Sequence, residues 1–550
     1  MLERIGRGLI AVEGQAARLA RQKRSVIVLV GCMSLAGRAL LLPILPIPKP
    51  AIQDEFSYLL ASDTFASGRL ANPTPALAEH FETPQVLVRP TYASKYPPFS
   101  AMLMALGQKL TGDAWVGVWL SLGLLCSAIC WALQGWLPCT WALLGSIIAL
   151  LRIGLVSYWS ESYWGGACAA LGGALIIGAV PRLVRREPSL PVIVTFAAGL
   201  AILANTRPYE GFVLAIACLG FLTFVTARRH AFRSHLLRKI LLPTAVLLVP
   251  VVLWMGYYNF RVTGHVLELP YYAHEKQYVV WSPLLWNAHP APEPSYTSSS
   301  LRDFWLKADV GEKIFARDHL LKAHVSDFLG AARFFLGWPL VLCIVVSALA
   351  LWRDTAARSA LLLGSLFYAG AAFDARLFPH YAAPATALAY IVAASGMRMA
   401  RRAWPGSGTE RVYLTWALML VFMFSTGLGL LKSDNLYLFG PIDYHVRAKR
   451  AHVLERLDKQ TGDQLVLVRY GIQHDLYEEL VYNQANIDRS RVIWARSLDP
   501  RQDVALIGRY PSRTVWLLEE NGTTKLTRYT PEQEKGTNTT RLLPTGTGRF

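Results

Sequence analysis

Charge is scarce in this chain. Asp, Glu, Lys and Arg make up 17% of its 550 residues, and 37 acids face 55 bases. With 53% hydrophobic residues, that composition excludes a single water-soluble domain and reads as a polytopic membrane protein with soluble parts. Cysteine is absent from the long polar regions. Cys32, Cys126, Cys130, Cys139, Cys168, Cys218 and Cys343 lie in or beside hydrophobic segments, so neither a disulfide framework nor a zinc motif is readable. No small-residue cleavage site precedes Pro46, so the first apolar segment reads as a retained anchor. No long internal repeat is present. The formal charge of +18 would suit nucleic acid in a soluble protein. Here the bases fall between hydrophobic segments, which the positive-inside rule explains without a nucleic-acid partner.

Hydrophobic runs are plentiful. A basic leader, residues 1–24, with Arg4, Arg7, Arg18, Arg21, Lys23 and Arg24, predicts a cytoplasmic amino terminus. The first span then covers 25–46. The apolar piece 98–110 is short for a crossing at about 1.5 Å per residue, and reads as a helix lying along the far membrane surface. Further spans are expected at 114–137, 139–157, 165–181, 190–205, 211–227, 239–259, 331–352, 358–373, 381–399 and 412–431. With about eleven spans, clusters such as Arg353 and Arg358, or Arg398, Arg401 and Arg402, all fall inside. The membrane region is therefore 25–431, with outer loops 47–113 and 260–330. Residues 432–530 read as a small extracytoplasmic α/β domain. Strands are expected at 465–468, 492–495 and 515–518, with helices at 444–460 and 475–482. Residues 531–550 are expected to be disordered. The chain also holds Asn-X-Thr sequons at Asn521 and Asn538.

Polar residues gather where four outer connections meet the membrane. Asp54 and Glu55 open a helix expected over 55–67 and stopped at Gly68, with Tyr58 on the same face as Asp54. Asp54 there is either a helix cap favoured by the dipole or a working carboxylate. Lys95 and Tyr96 precede Pro97-Pro98. Glu161 sits in Ser160-Glu161-Ser162-Tyr163, and either acts on a ligand or pairs with Arg152. Arg207, Arg376 and His380 are cations on the same expected side. They suit a phosphate, or they snorkel at the interface. The centres of the spans are Leu, Ala, Val and Gly, which is an enzyme layout more than a conduit.

Asp54-Glu55-Phe56-Ser57-Tyr58 resembles the acidic motif in the first outer loop of GT-C glycosyltransferases, particularly the bacterial aminoarabinose-transferase and protein O-mannosyltransferase-like group. Lys95-Tyr96-Pro97-Pro98 resembles the Lys/Pro motif of that group before an interfacial helix. The resemblance in topology covers roughly 25–390 and fits two interfacial helices. Where the group often has an Asp at a second acidic site, this chain offers Glu161.

The resemblance implies inverting transfer of a sugar from a polyprenyl-phosphate carrier to a lipid, glycan or protein acceptor outside a bacterial inner membrane. Asp54 is then the general base. Lys95, Arg207, Arg376 and His380 hold the departing phosphate. Glu55, Tyr58, Tyr96 and Glu161 contact sugar or acceptor. Cationic side chains can neutralise the phosphate, so no metal or other cofactor is expected to be required, although clustered acids could accept a divalent ion. The rivals are a transporter or flippase of a lipid-linked glycan and a non-catalytic envelope-assembly protein.

Overall fold

The computed structural model describes residues 2–185, 187–228, 232–286, 289–431 and 444–529. Helices dominate as far as 431. They begin with α1 (Leu2–Arg21), α2 (Lys23–Leu40), α3 (Gln53–Ala66), α4 (Phe99–Thr111), α5 (Trp115–Trp136) and α6 (Cys139–Ala149). Next come α7 (Ala167–Arg185), α8 (Leu190–Ala204), α9 (Pro208–Ala227) and α10 (Leu242–Thr263). Short α11 (Pro270–Tyr278), α12 (Ser299–Asp303) and α13 (Val310–Asp318) lead into α14 (Leu320–Val346). The helical part closes with α15 (Ala348–Leu351), α16 (Thr355–Ala371), α17 (Thr386–Ala403) and α18 (Gly408–Leu431).

Among the described residues, six helices are long and apolar enough to cross a membrane: Trp115–Trp136, Ala167–Val184, Pro208–Ala227, Leu236–Thr263, Leu320–Val346 and Gly408–Leu428. They coincide with six of the expected spans, and the chain is a multi-pass helical membrane protein. The other five expected spans fall short for visible reasons. Cys139–Gly154 and Leu190–Ala204 are apolar but short. Helix α16 has 17 residues, and α17 ends in Arg401 and Arg402. Helix α2 carries Arg38 on its buried face.

Between the spans the core is aliphatic. Leu122, Leu125 and Ile129 of α5 recur at helical spacing and meet Ile176, Ile177 and Val180 of α7 in one cluster. Helix α14 is broken at Gly337, whose φ of 68° and ψ of 158° no helix contains, two residues before Pro339. The break frees the carbonyls of Arg333 and Phe334. Buried Arg152 donates to both, at 2.6 and 2.9 Å. This occupation of Arg152 removes it as the alternative partner for Glu161.

Helix α4 has 13 residues and lies across α5 at Gly107 and Gly117. A Cβ on Gly117 would come within 2.1 Å of the Leu103 carbonyl, so only glycine permits that approach. Helix α3 ends as expected near Gly68, which takes φ +74° while the Arg69 N–H reaches back to the Thr64 carbonyl. Its surroundings differ from a helix lying on lipid. Tyr58 and Ala61 pack on Met104 of α4 and Trp115 of α5, while Phe56 and Leu60 pack on the carboxy-terminal unit. After α3 come β1 (Asn72–Pro73), β2 (Val86–Leu87) and β3 (Thr91–Ser94), ordered β1-β3-β2 and antiparallel.

The carboxy-terminal unit contains α19 (Tyr444–Asp458), β4 (Gln464–Tyr470), β5 (Val492–Arg496), α20 (Pro500–Arg509), β6 (Thr514–Glu520) and β7 (Thr524–Arg528). Its sheet runs β5-β4-β6-β7. Strand β4 is parallel to β5 and β6, and β7 is antiparallel to β6. The helix expected at 475–482 is absent. There the Glu479 carboxylate is drawn into a buried pair with Arg496 and accepts the N–H groups of Leu480 and Val481, at 3.1 and 2.9 Å, that a helix would use. Asn521 sits at the turn from β6 to β7, its Oδ1 accepting from the Gln473 N–H. Asn538 and the segment 531–550 lie outside the described residues.

Candidate functional site

The two opening acids have different tasks. The Glu55 carboxylate, fully buried, accepts from the N–H groups of Ala51 (2.7 Å) and Ile52 (3.2 Å), and from that of Tyr163 (3.2 Å). It caps its own helix and ties α3 to the 155–166 connection. Asp54 is half-buried, and its Oδ1 accepts a hydrogen bond from the Tyr96 hydroxyl. Burial, with Asp54 beside it, pushes the Tyr96 pKa well above its usual value, so Tyr96 stays a donor. Tyr58, one turn beyond Asp54, stacks on Tyr96 with centroids 4.5 Å apart and planes 7° from parallel.

A chain of hydroxyls brings the second motif here. Ser57 Oγ lies 2.7 Å from Ser94 Oγ and donates to the Gln85 carbonyl at 2.6 Å, while Ser94 Oγ accepts from the Tyr96 N–H at 3.1 Å. The register of β3 against α3 therefore sets where Lys95 and Tyr96 emerge. Pro97-Pro98 then opens α4, whose Phe99 N–H bonds the Asn205 carbonyl at 3.0 Å. That contact joins the Lys95 turn to the turn before Arg207.

The Lys95 ammonium lies within a ring of aromatic faces. Tyr271 is 4.8 Å away, Tyr96 5.3 Å and Trp305 6.0 Å. Burial lowers its pKa to about 8, with Lys313 acting in the same direction, while Asp54, Glu275 and Asp309 resist. Arg207 stands over the Tyr381 ring at 4.4 Å and 4.0 Å from Glu210 at the start of α9. Burial is the largest influence and disfavours its charge, but Glu210, Tyr381, Tyr58 and Tyr96 together hold the pKa above the usual value. Tyr58 and Tyr96 feel both Asp54 and Arg207. Asp374 completes the rim. Burial, then Glu210, raises its pKa to about 7 against the Arg376 N–H, Arg207 and Lys313.

Asp54, Tyr58, Lys95, Tyr96 and Arg207 are thus brought together, and three other expected residues are occupied elsewhere. Glu161 is gripped by Arg38 of α2, Nε to Oε1 at 2.9 Å and Nη2 to Oε2 at 3.2 Å, with both side chains buried. Arg376 forks onto Asp327 with two bonds of 3.1 Å and reaches Glu312 at 2.9 Å. His380 is buried, 3.0 Å from the Tyr158 hydroxyl and packed by Trp164 and Phe378. Its pKa falls well below the usual value through burial and then Arg207, so it is neutral and not the cation expected to face a phosphate.

Several neighbours were not anticipated. Tyr271, Glu275, Trp305, Asp309 and Lys313 all come from the 260–330 loop, whose irregular sequence carries no motif. Only its density of Tyr and Trp near paired charges hinted at a cage. Lys313 is itself held by Asp309 and the Trp281 carbonyl, both at 2.7 Å. Among the described residues, one group of three, His474, Glu478 and Glu520, has the spacing for a metal ion. Lys449 already stands between its carboxylates, at 2.6 and 3.4 Å.

The carboxy-terminal unit sits directly behind Asp54. Phe56 stacks on Tyr482 at 4.3 Å, and Arg450 lies between the Phe56 and Trp494 faces, at 4.9 and 4.6 Å. The Ala485 N–H donates to Asp63 of α3 at 2.8 Å.

No family profile matches the chain, and no curated protein matches it in sequence. Among solved structures it is similar to ArnT from Cupriavidus metallidurans bound to undecaprenyl phosphate. Identity is 14%, the match covers 94% of each chain, and the TM-score is 0.50. It is also similar to an Archaeoglobus fulgidus oligosaccharyltransferase tethered with an acceptor peptide. There identity is 11%, with 90% of this chain and 69% of that chain covered and a TM-score of 0.50. The chain therefore shares the fold of these two proteins over most of its length.

Proposed function

We propose that this chain is a GT-C glycosyltransferase that moves a sugar from a polyprenyl-phosphate carrier to an acceptor, with inversion at the sugar carbon. One observation carries the reading: the half-buried carboxylate of Asp54 is oriented by Tyr96, whose ring lies 5.3 Å from the Lys95 ammonium, and Arg207 acts electrostatically on the same Tyr58–Tyr96 pair. Among the described residues, Lys95 has no ion-pair partner. The undecaprenyl phosphate bound in the similar ArnT structure agrees with a carrier of this class.

In this reading Asp54 takes the proton from an acceptor hydroxyl or amine as that atom attacks the anomeric carbon. The bond from that carbon to the phosphate oxygen breaks on the opposite face. Lys95 and Arg207 receive the charge that develops on the phosphate, and Tyr96 keeps the Asp54 carboxylate aimed. Glu55, Glu161 and Arg376 act by holding backbone and helices in place. Two fixed cations can neutralise the leaving phosphate, so no divalent metal is assigned a role. The site end of the bundle then faces the extracytoplasmic side, with the carboxy-terminal unit over it.

The test uses full-length protein in proteoliposomes with a polyprenyl-phosphate sugar and scores product linkage by mass. Asp54→Asn is expected to lose about 10²–10⁴-fold in transfer while still retaining polyprenyl phosphate. Undiminished transfer would remove Asp54 as the base. Movement of the lipid-linked sugar across the bilayer without any product would indicate a flippase.

A further inference from the structure

Helix α1 meets a succession of helix ends. Gly6 touches the start of α18 so closely that a Cβ would lie 2.6 Å from the Tyr413 hydroxyl. About two turns further on, Glu13 takes a two-pronged bond from Arg401 near the end of α17, at 2.8 and 2.9 Å. Ala16 and Ala20 then join Cys139 and Leu143 at the start of α6, and Val26 near the start of α2. All four contacts lie at one end of the bundle, so α1 runs across that end and not along it.

Apart from Ile10, 47% exposed between the packed face and the arginines, the remaining surface of α1 is divided lengthwise. Ile5, Val12 and Leu19, seven residues apart, form one flank and are 45%, 46% and 37% exposed. Arg4, Arg7, Arg18 and Arg21 share a separate arc of about a third of the circumference, by 100° per residue. These arginines are exposed and, among the described residues, make no ion pair. A helix lying at a bundle's rim with one apolar flank and one cationic flank matches the boundary between acyl chains and headgroups.

We infer that α1 is an interfacial anchor whose four arginines bind anionic phospholipid headgroups while Ile5, Val12 and Leu19 enter the acyl layer. The Glu13–Arg401 pair and the Gly6 contact then join that lipid layer to α17 and α18. This inference stands apart from the proposed chemistry, since none of these residues touches the Asp54 site.

Full-length protein in nanodiscs of phosphatidylcholine alone, or with phosphatidylglycerol added, tests it by hydrogen exchange over residues 2–21. Anionic lipid is expected to slow exchange in this helix, about fivefold for each arginine engaged, and added salt should reverse the gain. The R4Q/R7Q/R18Q/R21Q variant should show no difference between the two lipids, with α5 and α7 exchanging as in the parent. Equal exchange of the parent in both lipids would overturn the proposal. So would protection that follows protein loading instead of lipid charge, because it would assign the face to a second copy. If the variant does not fold, the lipid and salt dependence of the parent still decides.

Discussion

Lys95 and Arg376 are both cations at the site end of the bundle, yet their surroundings are opposite. Arg376 is clamped by Asp327 and Glu312, and its Nε, Nη1 and Nη2 all donate to carboxylates. Lys95 is surrounded by ring faces, with its acids acting only at longer range. A guanidinium neutralised twice has little left to offer a ligand and much to offer the fold. An ammonium held by quadrupoles keeps most of its charge for an incoming anion. The same contrast separates Asp54 from Glu55, and Arg207 from Arg38. Residue type and position relative to the membrane do not distinguish a working charge from a structural one; the number and closeness of its partners do.

The sharpest way to break this contrast is at the adjacent acids. Asp54→Asn should remove transfer by the margin given above and leave the thermal midpoint unchanged. Glu55→Gln should do the reverse, lowering the midpoint because three backbone N–H groups lose a charged acceptor. Paired turnover and melting measurements decide. Equal activity losses in both variants would erase the distinction.

Next in size is Lys95. Lys95→Met is expected to weaken the carrier phosphate about 10–100-fold, in keeping with loss of one charge-assisted hydrogen bond. Its pH behaviour sharpens the test. The ammonium is the useful form and loses its proton near pH 8 in the free protein, so kcat/KM should fall as pH rises through about 8. Lys95→Arg keeps the charge at all these pH values, and its profile should lose that alkaline limb. If the limb survives, another group is titrating.

Arg376→Met should act mainly on stability. It leaves Asp327, buried, and Glu312, half-exposed, without their common partner. Removing one member of a fully buried pair costs about 3–5 kcal/mol, and the partial exposure of Arg376 and Glu312 places this case below that range. The expected signature is a lower melting point with KM for the carrier unchanged. A selective rise in KM would return Arg376 to the phosphate site.

Much of this layout was legible from residue order alone. The six strongest spans announce themselves by length and apolarity. The register of Lys95-Tyr96-Pro97-Pro98 ahead of a short helix pointed to the meeting of the two motifs, which the Tyr96–Asp54 hydrogen bond makes. What was not legible depends on contacts between distant segments. Arg38 and Glu161 are 123 residues apart, and no local pattern marks them as partners. Arg152 was one alternative partner for Glu161, whereas its real role follows from a helix break at Gly337, far along the chain. The turn at Glu479 defeated a helical reading because its partner, Arg496, lies on the next strand. Strand β7, short and polar, gave no alternating apolar signal at all.

The smallest predicted effect concerns the wall behind Asp54. Phe56 is two residues from Asp54, so on α3 it points away from Tyr96 and towards the carboxy-terminal unit. Its stack on Tyr482 is, with the Arg450 guanidinium on the same ring, a contact through which that unit reaches the start of the helix. Stacked pairs contribute about 0.5–1.5 kcal/mol beyond the area they bury. Phe56→Leu keeps most of the apolar volume and removes the ring, and Tyr482→Leu does the same from the other side. A double-mutant cycle on melting should therefore return a coupling near 1 kcal/mol. If the stack also aims Asp54, each single variant should lower kcat a few-fold with KM unchanged, and the double variant should lower it no further than either one. Additive losses in kcat would instead mean that the two rings act on the site separately. The carboxy-terminal unit would then be a cover over the site, and the orientation of Asp54 would rest on Tyr96 and the Glu55 cap alone.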